Sequence, residues 1–172
     1  VSHSPCQELR MHPHIITTGG TIDKIYFDAK SDYQVGEPVI GDLLTQMAVA
    51  FEFTVESAMR KDSLDITDAD RELIRERVQT SHSDHILLTH GTDGMVATGL
   101  AVAAGAAGKR IVLTGALQPA AFAGSDAIFN IGCAIGALQC VDPGVYIAMN
   151  GHVFHIDNVT KNVEKNRFET LR

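Results

Sequence analysis

The chain has 172 residues, close to one domain at roughly 150 residues each, and its 45% apolar content is ordinary for a globular protein and too high for disorder. The 14 Lys and Arg against 21 Asp and Glu give a net charge of −7, which argues against duplex nucleic acid or an anionic membrane as the main partner, since both demand clustered positive charge. No run approaches the ~20 apolar residues of a membrane span; the small-residue run at 101–107 is too short and too weakly apolar.

Residues 1–10 lack the apolar stretch of a signal peptide and are expected to be a flexible extension, with the fold beginning near Met11. A start at Val rather than Met points to a trimmed end. Three cysteines, Cys6, Cys133 and Cys140, cannot all pair within one chain. On a shared helix Cys133 and Cys140 would stand about 10 Å apart along the axis, too far for a disulfide. Buried free thiols in a reducing compartment, hence a cytoplasmic location, are the expectation.

Short β-branched runs then alternate with longer helical windows. Strands are predicted over 15–18, 53–57, 85–89, 110–114 and 145–149, and helices over 39–49, 68–80, 93–107 and 125–141. Ile86-Leu87-Leu88 and Ile111-Val112-Leu113 are continuous rather than alternating, as expected of strands covered on both faces. Thr67-Asp68-Ala69-Asp70 resembles a capping box at the start of the second helix. Segment 24–38, with Tyr26, Tyr33 and Gly36, shows no periodicity and is long for a connection, which suggests a mobile lid. Asn150-Gly151 predicts a tight turn into a short final strand at 152–155. The polar stretch 161–172 reads like the start of a linker. The predicted organisation is an extension at 1–10, a domain at 11–168 and a tail at 169–172. Strand–helix–strand repetition implies an α/β fold, a three-layer sandwich whose mostly parallel sheet carries helices on both faces. In such a fold ligands bind beyond the carboxyl ends of the strands.

The sequences that follow the strands are therefore the place to seek chemistry. Thr17-Thr18-Gly19-Gly20-Thr21-Ile22 follows the first; its glycines allow a sharp turn and close approach of a ligand to the main chain, and Thr21 lies past that turn. A purely structural turn explains the same residues. Thr89-His90-Gly91-Thr92-Asp93-Gly94 follows the third. Here the Thr-Asp pair reads either as the cap of the next helix, with Asp93 favouring its dipole, or as a functional pair, or as both, and free N–H groups there suit a developing oxyanion. Thr114-Gly115-Ala116-Leu117-Gln118-Pro119 forms a third loop on the same edge. Residues 105–110 lack the glycine spacing of a phosphate loop and lead into a strand, and no Rossmann glycine triplet is present. The His82/His85 and His152/His155 pairs have no third ligand, so no metal and no cofactor are expected.

Taken together, these motifs resemble the amino-terminal domain of the bacterial-type L-asparaginases over Met11 to Phe168. The likeness is carried by Thr18-Gly19-Gly20-Thr21-Ile22, by the tyrosine-bearing Ser31-Asp32-Tyr33-Gln34-Val35-Gly36, by His90-Gly91-Thr92-Asp93 and by Val159-Thr160-Lys161. The resemblance implies hydrolysis of L-asparagine to L-aspartate and ammonia. Thr21 would be the nucleophile, Tyr33 would activate or orient it, and Thr92, Asp93 and Lys161 would form a second polar triad. A threonine hydroxyl is a poor nucleophile at neutral pH, so such neighbours are what the chemistry needs. Ser63, Thr92 and Asp93 would bind the substrate, with Asp93 facing its α-ammonium.

Two positions depart from the family pattern. Leu64 stands where a glutamine is frequent, and Gln118 where an arginine is frequent. The carboxy-terminal domain, which in full-length members lends an acidic residue to a neighbouring subunit, has no counterpart in these residues. The expectation is a short-chain enzyme that binds asparagine less tightly than two-domain relatives. It would discriminate against glutamine by pocket length and assemble as a homodimer or homotetramer. Two other readings stand beside it: the amidase subunit of an ammonia-transferring amidotransferase, and a non-catalytic asparagine-binding module.

Overall fold

The computed structural model describes residues 11–27 and 32–171. The expected extension at 1–10 with Cys6, the middle of the expected lid with Ser31, and Arg172 lie outside the described residues. In chain order the elements are β1 (His14–Gly19), β2 (Lys24–Phe27), β3 (Asp32–Val35), α1 (Ile40–Gln46), β4 (Thr54–Lys61) and α2 (Asp68–Thr80). There follow β5 (His85–Thr89), α3 (Met95–Ala103), β6 (Arg110–Thr114), α4 (Ala127–Cys140), β7 (Gly144–Met149), β8 (His152–His155), β9 (Thr160–Asn162) and β10 (Arg167–Glu169).

Six strands form one sheet in the order β4-β1-β5-β6-β7-β8, parallel throughout except for β8, which returns antiparallel to β7. That return uses the expected Asn-Gly turn, with Asn150 at φ 55° and Gly151 at φ 76°. The two faces of the sheet sort by residue parity. Ile16, Leu88 and Leu113 join Ile74 and Val78 of α2 and Met95 and Val102 of α3 in one core; Ile15, Leu87 and Val112 join Ile40 and Leu44 of α1 and Ala127, Ile131 and Leu138 of α4 in the other. Period-two alternation on strands covered on both sides makes every central position apolar, which is why these runs are continuous in the sequence. The capping box at Thr67 forms, with the Thr67 hydroxyl and Asp70 carboxylate exchanging bonds with each other's backbone N–H.

The strand order also locates the crevice. From β1 the chain crosses to β4 on one side, whereas from β5 it crosses to β6 on the other. The carboxyl ends of β1 and β5 thus flank the point where the winding reverses, the usual ligand position in such sheets.

Four expectations are corrected. Segment 24–38 is not without regular structure: β2 and β3 pair antiparallel, Tyr26 opposite Tyr33. The stretch from Lys161 onward is not linker-like, because β9 and β10 form a second hairpin anchored by the buried Phe168, whose N–H donates to Asn150 Oδ1 at 2.9 Å. Three-residue strands with one hydrophobe leave no periodicity to read. The thiols are not both buried: Cys133 is half-buried and Cys140 exposed, since both fall off the α4 stripe of Ala127, Ile131, Ala134 and Leu138. Finally α3 begins two residues later than expected, with Gly94 as N-cap and no side-chain cap.

Candidate active site

β1 ends in two glycines whose backbone no L side chain adopts comfortably, Gly19 at φ 93° and Gly20 at φ 89°. They turn the chain into a short 3-10 turn, Thr21–Asp23. A Cβ on Gly20 would lie 2.4 Å from the Gly91 nitrogen, and one on Gly91 would lie 2.6 Å from Ser63 Cβ and Oγ. Glycine at these two positions is therefore a packing requirement. It lets the turn after β1, the turn after β5 and the loop after β4 touch backbone to backbone. Thr21, Thr92 and Ser63 are carried on those three segments, Thr21 half-buried, Thr92 and Ser63 buried.

The turn after β5 is tied down by His90, fully buried behind it. His90 Nδ1 lies 2.7 Å from the Gly91 carbonyl, which can only accept, so Nδ1 carries the proton and Nε2 accepts from the Thr98 hydroxyl at 2.8 Å. Burial outweighs the Gly91 hydrogen bond and pushes the imidazole pKa down to about 4, which keeps the ring neutral. The site facing it is charged. Lys161 Nζ donates to Thr92 Oγ1 at 2.8 Å and to Asp93 Oδ1 at 2.5 Å, with the lysine side chain 11% exposed and Asp93 44%. The Thr92 hydroxyl thus serves Lys161, where a helix cap is one of the local sequence readings.

Lys161 arrives from the far end of the chain because its flanks are hydrophobic. Val159 and Phe168 enter the α2/α3 core and Ile156 seats against Gly99 of α3. In β9, Lys161 pairs opposite Phe168, so the hairpin that buries the ring delivers the ammonium.

The remaining candidates stand farther out. Tyr33, 47% exposed on the β2–β3 hairpin, packs edge-on against Tyr26 at 5.5 Å and beside Phe122 of the loop after β6 at 6.2 Å. That same loop reaches the Thr21 turn, with the Ala120 N–H donating to the Ile22 carbonyl at 3.1 Å. Lys161 bridges Thr92 and Asp93 by donating to both; Thr21 and Ser63 adjoin them through backbone packing, and Tyr33 lies on a separate hairpin over the same sheet edge. Leu64, 77% exposed, shares a depression of about 680 Å³ with Asp93, Leu100, Lys161 and Val163.

Three contributors had no clear sequence signal. Phe122 supports Tyr33 from a loop read only as a third edge loop. Lys24 pairs with Asp62 at 2.6 Å, joining the hairpin to the loop that holds Ser63, while Asp62 accepts from the Leu64 N–H. That ion pair holds the Asp62 carboxyl below the usual carboxylate range. Asp23, directly after the threonine motif, is buried; only its nearness to Thr21 could have marked it.

Comparison with known proteins bears on the family and the fold. The family profile described as asparaginase, N-terminal, matches residues 14–172. Among solved structures, the thermostable L-asparaginase from Thermococcus kodakarensis superposes with a TM-score of 0.79 at 23% identity, over 94% of this chain and 51% of that one. L-asparaginase I from Vibrio cholerae gives 0.78 at 26% identity over 94% and 51%, and the probable cytoplasmic L-asparaginase from Campylobacter jejuni gives 0.76 at 22% over 93% and 51%. At 23% and 22% identity the first and third likenesses are ones of fold. The chain spans about half the length of these proteins.

Proposed function

Since the chain belongs to the asparaginase family through its N-terminal domain, we propose that it hydrolyses the side-chain amide of L-asparagine, with Thr21 as nucleophile. The observation that carries this reading is the pair of bonds from Lys161 Nζ to Thr92 Oγ1 and Asp93 Oδ1. A binding module has no need of an ammonium held nearly dry against a hydroxyl, whereas amide hydrolysis needs both a proton path and a fixed electrostatic field.

Thr21 Oγ attacks the amide carbon and its proton passes by way of Tyr33 to the departing nitrogen. The C–N bond breaks, ammonia leaves, and a β-aspartyl ester remains on Thr21. Water then attacks that ester beside Thr92, returns a proton to Thr21 and releases L-aspartate. Lys161, donating to Thr92 Oγ1, leaves the Thr92 hydroxyl hydrogen free to point at the substrate. Asp93 and the Ser63 segment hold the amino-acid end, and the hairpin bearing Tyr33 excludes water when substrate is bound. The reaction draws on side chains alone, without a cofactor. A cytoplasmic homodimer or homotetramer is the proposed form; the exposed Ile128 and Phe129 on α4 support self-association.

Ammonia release from L-asparagine by the purified protein, with no acceptor added, tests the reading. Thr21→Ala is expected to lower release by at least about 10³-fold while L-aspartate still binds. Release that needs an added acceptor would favour an amidotransferase subunit, and none under any condition a binding module.

A further inference from the structure

Asp23 is the sole buried carboxylate among the described residues, 2% exposed, and it meets three segments at once. Its N–H donates to the Gly20 carbonyl at 3.2 Å, its carbonyl accepts from the Gly36 N–H at 2.8 Å, and its Oδ1 accepts from the Val39 N–H at 3.0 Å. The first bond closes the turn that presents Thr21, the second holds the residue just after the Tyr33 strand, and the third holds the N-cap of α1, which has no side-chain cap of its own. Oδ2 is buried with no protein partner, and the adjacent Lys24 is committed to Asp62. An acid kept in such a place at the cost of desolvation is doing something a neutral cap elsewhere would not.

We propose that Asp23 is a positioning residue for Thr21 and Tyr33, clamping the nucleophile's turn to the root of the Tyr33 hairpin and to α1 so that the two side chains meet substrate in one arrangement. The inference rests on the threonine-nucleophile reading above. The backbone bonds to Gly20 and Gly36 survive substitution, but the side-chain bond to Val39 does not. Removing it frees the α1 end of residues 36–39, which join the Tyr33 strand to α1, so the hairpin is held on one side only; a displacement near 1 Å at a reacting group costs about 10² in rate.

Two readouts test the clamp in the full chain. Asp23→Ala is expected to lower kcat on L-asparagine about 10²-fold with KM within about threefold, whereas Asp23→Asn, whose carbonyl still accepts from Val39, stays within about threefold of the parent. Hydrogen exchange is expected to quicken in Asp23→Ala at Val39 and along β2 and β3, with β5 and β6 unchanged, and to return to the parent pattern in Asp23→Asn. The clamp is overturned if Asp23→Ala keeps its kcat, if β5 and β6 exchange faster to the same degree, or if Asn fails to rescue. Should the parent release no ammonia from asparagine, the substrate reading alone falls, and the exchange pattern still decides the clamp.

Discussion

Lys161 Nζ lies 2.8 Å from Thr92 Oγ1 although 69 positions separate the two residues in the chain. The contact exists because Phe168, opposite Lys161 in the terminal hairpin, is buried in the same core as α3. The proposed role of Lys161 and the folding of the last elements are therefore linked, and a change at either end should be felt at the other.

Lys161→Met keeps the apolar stem and removes the ammonium, leaving Thr92 and Asp93 without their shared donor. Loss of one preorganised charged group in a partly dry site is expected to lower kcat about 10²–10³-fold, with a smaller change in KM. Phe168→Ala should give a related kinetic defect together with a stability loss of about 3 kcal/mol, since an aromatic side chain leaves the core. Steady-state ammonia assays and urea unfolding check both; a Phe168→Ala protein with unaltered kcat would break the proposed link.

Leu64 stands at the rim of the depression beside Asp93 and Lys161, where an apolar side chain offers no hydrogen bond to a charged amino acid. Leu64→Gln adds a donor at an exposed position and disturbs no packing. A hydrogen bond to a charged group contributes roughly 1.5–3 kcal/mol, so KM for L-asparagine is expected to fall about tenfold or more with kcat little changed. An unchanged KM would show that the rim does not reach the substrate.

What could be read from the sequence follows from how many residues carried each signal. Ile86-Leu87-Leu88 and Ile111-Val112-Leu113 announced buried central strands because a doubly covered strand must be apolar at every position, and β5 and β6 match their predicted spans. Thr67 and Asp70 announced the α2 start because capping depends on two side chains three apart. The β2–β3 and β9–β10 hairpins were not legible: their strands are short, and they are fixed by contacts with distant partners, Tyr33 with Phe122 and Phe168 with Asn150. At the site, the glycine turns and the Thr-Asp pair were visible as local motifs. The local motif left Thr92 open between a cap and a functional group, and only the family resemblance joined it to Lys161, which comes from a segment with no periodicity of its own.

Thr17 and Thr89 are register partners in β1 and β5, both buried, and neither hydroxyl has a protein partner. An unpaired buried hydroxyl costs about 1–3 kcal/mol, so Thr17→Val or Thr89→Val, which keeps the branched shape, is expected to stabilise by about 1 kcal/mol. The change should appear as a higher urea midpoint with the slope m unaltered. Destabilisation by either change would mean that the hydroxyls are bonded through something other than protein.

Gly20→Ala sets a Cβ 2.4 Å from the Gly91 nitrogen on a backbone at φ 89°. Neither contact can relax without parting the Thr21 and Thr92 turns. The expected result is loss of activity beyond about 10²-fold and a stability loss of several kcal/mol, since strain and overpacking add. Gly108→Ala is the control: its φ is 75°, so it pays the strain, but no atom lies within 4 Å of the added Cβ. It should lose some stability and keep its kcat.

Two buried groups oppose each other in the dependence of stability on pH. Asp23 is pushed up from 3.8 to about 6, with desolvation outweighing the Val39 hydrogen bond. Its contribution is complete below pH ~4 and is lost as pH rises through about 6, because the folded state holds the proton longer than the unfolded chain does. His90 is pushed down from 6.5 to about 4 by burial, so its contribution is complete above pH ~6.5 and is lost as pH falls through about 4. Each shift corresponds to about 3 kcal/mol in full, and the two slopes have opposite sign over nearly the same window. The parent protein is therefore expected to show near-constant unfolding free energy from pH 4 to 6.5. Below that window stability should fall as Asp70 and Glu169, both held near 2 by hydrogen bonds, led by the bond from Lys61 to Asp70 and the bond from Asn162 to Glu169, take up protons. Asp23→Asn removes one side of the balance. Its stability should climb by about 3 kcal/mol between pH 4 and 6.5, in urea titrations run at half-unit steps. A variant whose profile runs parallel to its parent's would mean that the Asp23 carboxyl titrates as it does in the unfolded chain.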